Sequence, residues 1–207
     1  METVPTDYTQ DEDTRLMLAV KAGDALAFEE LMNRYQGKVL SMLIHFTESR
    51  QQAEELTQDI FMNIYKARGR YEPTAKFKTW LYKIVENRGL NFLRSRKRRP
   101  ERLLNTSPPN DGGGAGGEEN LLAQSGYLPA RQYDRAEERE MVNLALRSLD
   151  PRYREAVLYH HIEGMDYSQI GQIMDLTPSA VKSLLHRARR RLAEILAPYM
   201  KEGKRPR

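Results

Sequence analysis

Apolar side chains recur at steps of three and four residues along the first hundred positions, which is the spacing of one helix face. This pattern predicts helices over about 14–46, 51–66 and 79–96. Gly23 followed by Asp24 predicts a break in the first of these, with Asp24 as the N-cap of a second helix. The predicted inward positions are Phe28, Leu31, Met32, Tyr35, Val39 and Leu43, then Ala53, Leu56, Ile60 and Ile64, then Leu81, Ile84, Val85, Arg88 and Phe92.

The stretch from 100 to about 131 has a different composition and almost no apolar periodicity. It contains Ser-Pro-Pro-Asn at 107–110 and Gly-Gly-Gly-Ala-Gly-Gly at 112–117, which are typical of a linker. Helical periodicity returns near 134 and predicts a helix that ends at 150–151, followed by helices over 152–162, 168–174 and 178–197. Because no segment shows sustained alternation, we predict an all-α fold. Two small helical domains, 1–99 and 134–207, are joined by a flexible Gly/Pro-rich linker at 100–133.

Composition excludes several classes of protein. The 207 residues are 40% hydrophobic and 30% charged, and no apolar run approaches the roughly 18 residues that span a membrane. The acidic N-terminus lacks the order of a secretory signal, so we expect a cytoplasmic protein without membrane insertion. With no cysteine, disulfides, thiolate metal sites and cysteine nucleophiles are excluded. The four histidines lack ligand spacing with carboxylates, so we predict no metal and no cofactor.

Charge is segregated along the chain. Residues 1–60 carry 5 basic and 12 acidic side chains, whereas residues 61–100 carry 12 basic and 2 acidic ones. A second basic block, 176–207, has 9 basic against 2 acidic side chains. Two separate basic blocks favour two contacts with a polyanion. The alternative is that these are solvated helix faces followed by a basic tail.

The segment 165–193 has the pattern of a helix-turn-helix. Ser168 can cap a short helix, 175–177 predicts a tight turn, and Thr177 before Pro178 predicts the N-cap of the next helix. That helix is expected to bury Val181, Leu184, Leu185 and Leu192. Its opposite face carries Lys182, Ser183, His186, Arg187 and Arg190. Such a basic second helix is suited to the DNA major groove, although a helical hairpin with a solvated basic face is the alternative.

Basic and aromatic residues alternate between 65 and 91. Lys and Arg neutralise phosphates, exposed rings stack on unpaired bases, and Asn amides read base edges, a combination that fits opened DNA. We expect Phe77 and Tyr65 to belong to the core, while Trp80 and Tyr82 could be either core or surface. The residues concerned include Tyr71, Trp80, Lys83, Asn87 and Asn91.

The preceding helix has an acidic, amide-rich face that would repel DNA. Glu55 and Asp59 at i, i+4 have no accompanying histidine or nucleophile, so we do not predict a catalytic centre. A docking face for a basic partner protein is one interpretation, and a plain solvated face is the other. The face consists of Glu54, Glu55, Gln58, Asp59 and Asn63.

At this point the sequence closely resembles bacterial sigma factors of the extracytoplasmic-function group. Their region 2 is matched by AGDALAFEELMNRYQGKVL, AEELTQDIFMNIYKA and FKTWLYKIVENRGLNFLRSRKRR. Their region 4 is matched by LRSLDPRYREAVLYHHIEGMDYSQIGQIM and the helix-turn-helix that follows. The resemblance implies a factor without enzymatic activity that binds core RNA polymerase and directs promoter-specific initiation, often under an anti-sigma factor.

The resemblance also implies roles for individual residues. Glu55, Gln58, Asp59 and Phe61 match the segment that docks on the beta-prime clamp helices. Tyr71, Trp80, Lys83, Asn87 and Asn91 match the surface that recognises and opens the −10 element. Lys182, Ser183, His186 and Arg187 match positions that read the −35 element, with Arg190 beside them. Region 4 also implies a contact with the beta flap, and the linker would thread toward the RNA exit path.

Two other classes of protein are weighed against this one. A stand-alone helix-turn-helix regulator would have no use for the basic and aromatic residues of 61–100. A metal-dependent nuclease would need an acidic cluster beside that basic surface, where the only acids are Glu72 and Glu86.

Overall fold

The structure is a computed structural model that describes residues 8–98 and 136–202. Within these two ranges every regular element is a helix, as the all-α prediction requires. The chain divides into two compact units, unit 1 at Met1–Phe92 and unit 2 at Leu93–Arg207. The predicted linker at 100–133 lies outside the described residues.

Unit 1 is a helical bundle. Its elements are a 3₁₀ turn at Tyr8–Gln10, α1 at Glu12–Lys21, α2 at Ala25–Thr47, α3 at Arg50–Ala67, a 3₁₀ turn at Arg68–Arg70, and α4 at Phe77–Lys97, whose end crosses into unit 2. The predicted break before α2 is confirmed. Asp24 Oδ1 accepts hydrogen bonds from the backbone N–H groups of Leu26 and Ala27, at 2.9 and 3.2 Å.

Most of the predicted inward positions of unit 1 lie in its core, but α4 is rotated relative to the prediction. Arg88, predicted to face inward, is exposed, and the buried side of α4 carries Tyr82 and Gly89 instead. At Gly89 an added Cβ would lie 2.5 Å from the ring of Phe46, so this contact depends on a missing side chain. A hydrophobic pattern cannot reveal such a contact. The buried residues predicted correctly are Leu31, Tyr35, Val39, Leu43, Ala53, Ile60, Ile64, Leu81 and Val85.

An ion-pair cluster joins α1 to α2. Arg34 donates to Glu12 Oε1 at 2.6 Å, to Asp13 Oδ1 at 2.8 Å and to Glu30 Oε1 at 2.7 Å. Hydrogen bonds to these three carboxylates raise the pKa of the Arg34 guanidinium. The cluster is partly exposed, so it orients α1 more than it stabilises the bundle.

Unit 2 contains α5 at Ala136–Arg147, α6 at Pro151–Val157, α7 at Tyr167–Met174 and α8 at Pro178–Glu202. The single helix predicted over 152–162 is instead α6 followed by a π-helical turn at Leu158–Ile162. Ser168 is not the N-cap of α7. Asp166 accepts from Gln169 N at 2.8 Å, and the Gln169 side chain accepts from Asp166 N at 3.0 Å, forming a capping box.

Candidate polymerase-binding and DNA-binding surfaces

The predicted docking residues Glu55, Gln58 and Asp59 are all exposed on α3. We call these three residues the α3 acidic face. It lies opposite a buried side that includes Thr57 and Ile60, so α3 is fixed by packing while its carboxylates meet solvent. A long hydrogen bond reaches this face from a neighbouring side chain, from Gln51 Nε2 to Glu55 Oε1 at 3.4 Å.

Phe61 does not belong to this face. Its side chain is 3% exposed, and its ring meets the edge of Phe28 with 6.4 Å between ring centroids. It can therefore influence docking only by holding α3 in place. Met62, which the sequence reasoning missed, is 53% exposed one turn beyond Gln58. The available signal was its spacing, because a residue four positions after Gln58 lies on the same side of a helix.

Four of the five residues predicted to open DNA share one side of α4. Trp80, Lys83, Asn87 and Asn91 follow one another at steps of three and four residues, which aligns them along a helix. The two asparagines are exposed, and Trp80 and Lys83 are half-buried. We call these four residues the α4 face.

The basic end of α4 continues the same face. Arg94 and Arg98 follow Asn91 at steps of three and four residues, and both are exposed. Neither was singled out from the sequence, although the same spacing rule would have found them. Positive charge at this end suits a phosphate backbone running along the helix.

Tyr71 is a correction to the predicted surface. It is 3% exposed, and burial raises the pKa of its hydroxyl. Its ring packs edge-on against Trp80 with 5.0 Å between centroids. Phe77 is also buried, as expected, and its ring centroid lies 5.8 Å from that of Trp80. Tyr71 therefore packs against Trp80 inside the unit and does not present its own ring to DNA.

The helix-turn-helix of unit 2 is present as predicted. The turn passes through Asp175, which adopts the left-handed conformation at φ 55° and ψ 49°. Thr177 Oγ1 then accepts from Ala180 N at 3.2 Å and caps α8, which begins at Pro178. Val181 and Leu185 are buried, while Leu184 and Leu192 are only half-buried.

The opposite side of α8 carries all five predicted DNA-reading residues, which we call the α8 face. Lys182, Ser183, His186, Arg187 and Arg190 are exposed. Arg187 Nε donates to Ser183 O at 3.3 Å. Arg190 lies 3.7 Å from Glu194, a weak exposed ion pair.

The histidine pair of unit 2 lies at the edge of the helical packing. His160 Nδ1 is 2.9 Å from Met165 O, and the rings of His160 and His161 are 4.8 Å apart. Burial, together with the charges of His160 and Arg189, lowers the pKa of His161. Among the described residues we find no group of acidic or histidine side chains placed to hold a metal ion. None of the helices described is long and apolar enough for a membrane span.

Comparison with known families matches both units. The sigma-70 region 2 model matches residues 31–99, and the sigma-70 region 4 model matches residues 139–192. The first match contains the α3 acidic face and the α4 face, and the second contains the α8 face.

Whole-length relatives decide the family. The RNA polymerase sigma-H factor of Pseudomonas aeruginosa is 31% identical over 201 residues, which is 94% of this chain and 99% of that protein. The extracytoplasmic-function sigma-E factor of Escherichia coli is 28% identical over 91% of this chain and 96% of that protein. The chain belongs to the extracytoplasmic-function sigma factors. This sigma factor directs promoter-specific transcription initiation through core RNA polymerase, and its relatives are initiation factors rather than enzymes.

A solved structure agrees with this sigma factor in fold. The sigma factor RpoE from Bartonella quintana, solved in complex with the anti-sigma factor NepR, aligns with a TM-score of 0.61. The two chains are 21% identical, and the alignment covers 82% of this chain and 96% of that one.

Proposed function

We propose that the three faces divide the work of initiation. The α3 acidic face docks on the beta-prime clamp helices of core polymerase, the α4 face recognises and opens the −10 element, and the α8 face reads the −35 element. The observation that carries this proposal is the alignment of Trp80, Lys83, Asn87 and Asn91 on one side of α4. An aromatic ring, a cation and two amides along one helix supply stacking, phosphate neutralisation and base reading together.

The α4 face suits opened DNA better than closed duplex. Trp80 is only half-buried, and a base that has left the duplex can stack on an exposed aromatic ring for about 1–3 kcal/mol. This contribution is comparable to the few kcal/mol that unstacking a base costs. Asn87 and Asn91 then offer a donor and an acceptor each to the exposed base edges.

The α8 face suits closed duplex DNA. A capped helix with exposed Lys182, Ser183 and Arg187 near its N-terminal end has the geometry that enters the major groove. Lysine and arginine contact guanine edges, whereas arginines farther along the helix contact phosphates.

Co-elution with core RNA polymerase tests the proposal, with a primary sigma factor added as competitor. Mutually exclusive binding is expected if the α3 acidic face uses the shared docking site. The holoenzyme can then select its promoter from a library of random DNA, which supplies the template for the variants below. Binding alongside the primary sigma factor would contradict the docking assignment.

Charge reversal at Asp59 is expected to weaken core binding at least about tenfold, because like charges facing each other across an interface cost several kcal/mol. The change is Asp59→Lys, and the measurement is competition against wild-type protein for core polymerase. Glu29→Lys, at an exposed carboxylate on α2, is the matched control and should bind normally. Equal affinities of the two variants for core polymerase would contradict the docking assignment.

Loss of the Arg187 guanidinium is expected to reduce −35 discrimination by about 1–3 kcal/mol, if it contacts a base with both nitrogens. The measurement compares Arg187→Ala holoenzyme on promoters with matched and mutated −35 elements. Arg189→Ala, two residues on and also exposed, should instead weaken binding uniformly and lower its salt dependence. The same sequence preference in Arg187→Ala and wild type would contradict the assignment.

The partners in this proposal are core polymerase, promoter DNA and an anti-sigma factor, as in the Bartonella quintana complex. Its place of action is the cytoplasm, where bacterial polymerase and promoters meet. An anti-sigma factor should compete with core polymerase for the protein. A protein that binds this chain at the same time as core polymerase would not act as such an anti-sigma factor.

A further inference from the structure

Helix α1 makes two hydrogen bonds to the segment that leads into α4. Lys21 Nζ donates to the carbonyl oxygen of Tyr71 at 2.7 Å, across 50 positions of sequence. Thr14 Oγ1 accepts from the backbone N–H of Phe77, the first residue of α4, at 3.0 Å. The two contacts hold both ends of the loop that separates the 3₁₀ turn from α4.

The residues held in this way are those against which Trp80 packs. Tyr71 meets the Trp80 ring edge-on at 5.0 Å between centroids, and Phe77 lies at 5.8 Å. Phe77 also packs against Tyr35 with 5.5 Å between ring centroids, and the Tyr35 hydroxyl donates to Asp13 Oδ2 at 2.5 Å. Helix α1 thus contacts the aromatic row Tyr35–Phe77–Trp80–Tyr71 through Asp13, Thr14 and Lys21.

These contacts differ in what they do for folding. Thr14 is completely buried, and α1 also places Met17 and Val20 in the core at 0% exposure. Lys21 is exposed at the end of the helix and contributes its ammonium to the loop carbonyl. Removing that ammonium leaves the core contacts of α1 intact and takes away the link between α1 and Tyr71, whose N–H still donates to Arg68 O at 3.1 Å.

We propose that α1 acts as a brace that positions Trp80 for promoter opening, and that Lys21 is a positioning residue for this step. The proposal rests on the assignment of the α4 face to the −10 element. It extends beyond that assignment, because α1 lies before residue 31, where the match to region 2 begins. A Trp80 ring that is already held in one orientation loses less side-chain entropy when it contacts the opened bases. Fixing the ring in advance therefore lowers the free-energy cost of opening.

The test uses full-length Lys21→Met in holoenzyme on the selected promoter, with opening followed by permanganate reactivity of −10 thymines. Methionine keeps an apolar stem and removes the charged donor. We expect opening about tenfold slower, which corresponds to the loss of one hydrogen bond from a charged group. Core affinity and the −35 footprint should stay at wild-type values, and the unfolding temperature should fall only by the few degrees that one hydrogen bond contributes. Lys21→Arg, which restores a charged donor, should recover most of the rate.

Two controls separate this proposal from the assignment beneath it. Arg15→Met removes a positive charge from an exposed position of α1 and should open the promoter at the wild-type rate. Trp80→Ala should open it slowly. If Lys21→Met opens normally while Trp80→Ala is slow, the brace is overturned and the α4 assignment stands. If Trp80→Ala opens normally, the assignment of Trp80 itself is overturned. A joint loss of stability and core binding in Lys21→Met would show that Lys21 is only structural and would also overturn the brace.

Discussion

Arg154→Met is expected to destabilise unit 2 by about 3–5 kcal/mol, because it removes a charged donor from three backbone carbonyl oxygens. Arg154 lies on α6 and is 8% exposed. Its guanidinium donates to the carbonyl oxygens of Leu146 at 2.8 Å, Arg147 at 2.6 Å and Leu149 at 3.1 Å. Leu146 and Arg147 end α5 and Leu149 lies in the turn after it, where carbonyl oxygens lack helical N–H partners. Leu146 O also accepts from Leu149 N at 3.1 Å. Methionine fills similar space but leaves the three carbonyls without this donor.

Urea unfolding followed by circular dichroism measures this effect. Arg152→Met is the matched control, because Arg152 is exposed on the same helix and loses the same charge. We expect its midpoint to stay near wild type, as surface substitutions usually cost less than about 0.5 kcal/mol. Arg154→Lys should recover only part of the stability, since an ammonium lacks the planar fork that reaches several carbonyls at once. Equal midpoints for Arg154→Met and Arg152→Met would show that the carbonyls find other donors.

Local signals in the sequence predicted the local features of this fold. Asp24 and Thr177 cap helices because a short side-chain oxygen reaches backbone N–H groups two or three residues ahead. The break before α2 and the turn before α8 follow from such contacts. Ser168 failed as a cap because Asp166, two residues earlier, pairs with Gln169 in a capping box. Ser168 and the Asp166–Gln169 pair were both visible in the sequence, and the pair, which can form a capping box, was the stronger signal.

Features that depend on distant parts of the chain were not predictable. Tyr71 is buried because Lys21 and Trp80, from two other elements, meet it. Arg88 is exposed because Gly89 turns toward the Phe46 ring and sets the rotation of α4. Trp80 and Asn87 nevertheless share one side of α4, since helical spacing aligns them whatever lies behind them.

Gly171→Ala is expected to cost about 3 kcal/mol, at the upper end of the range for inserting a methyl group where none fits. An added Cβ at Gly171 would lie 2.5 Å from the backbone oxygen of Leu176. The chain returns this closely because Asp175 is left-handed and Leu176 N donates to Gly171 O at 2.9 Å, which closes the end of α7. A side chain could rotate away from the new methyl group, but this neighbour is backbone, so the turn itself must move.

The same turn sets the angle at which α8 leaves α7, so Gly171→Ala should also impair −35 recognition beyond its effect on stability. Unfolding midpoints and −35 footprints measured below the unfolding range separate the two effects. Gln172→Ala truncates the next, exposed side chain of α7 without adding an atom and should leave both at wild-type values. A destabilised but normally footprinting Gly171→Ala would mean that the turn relaxes without rotating α8. A fully stable variant would mean that the backbone of Leu176 moves aside at little cost, and the tight return of the chain would then not be what fixes the recognition helix.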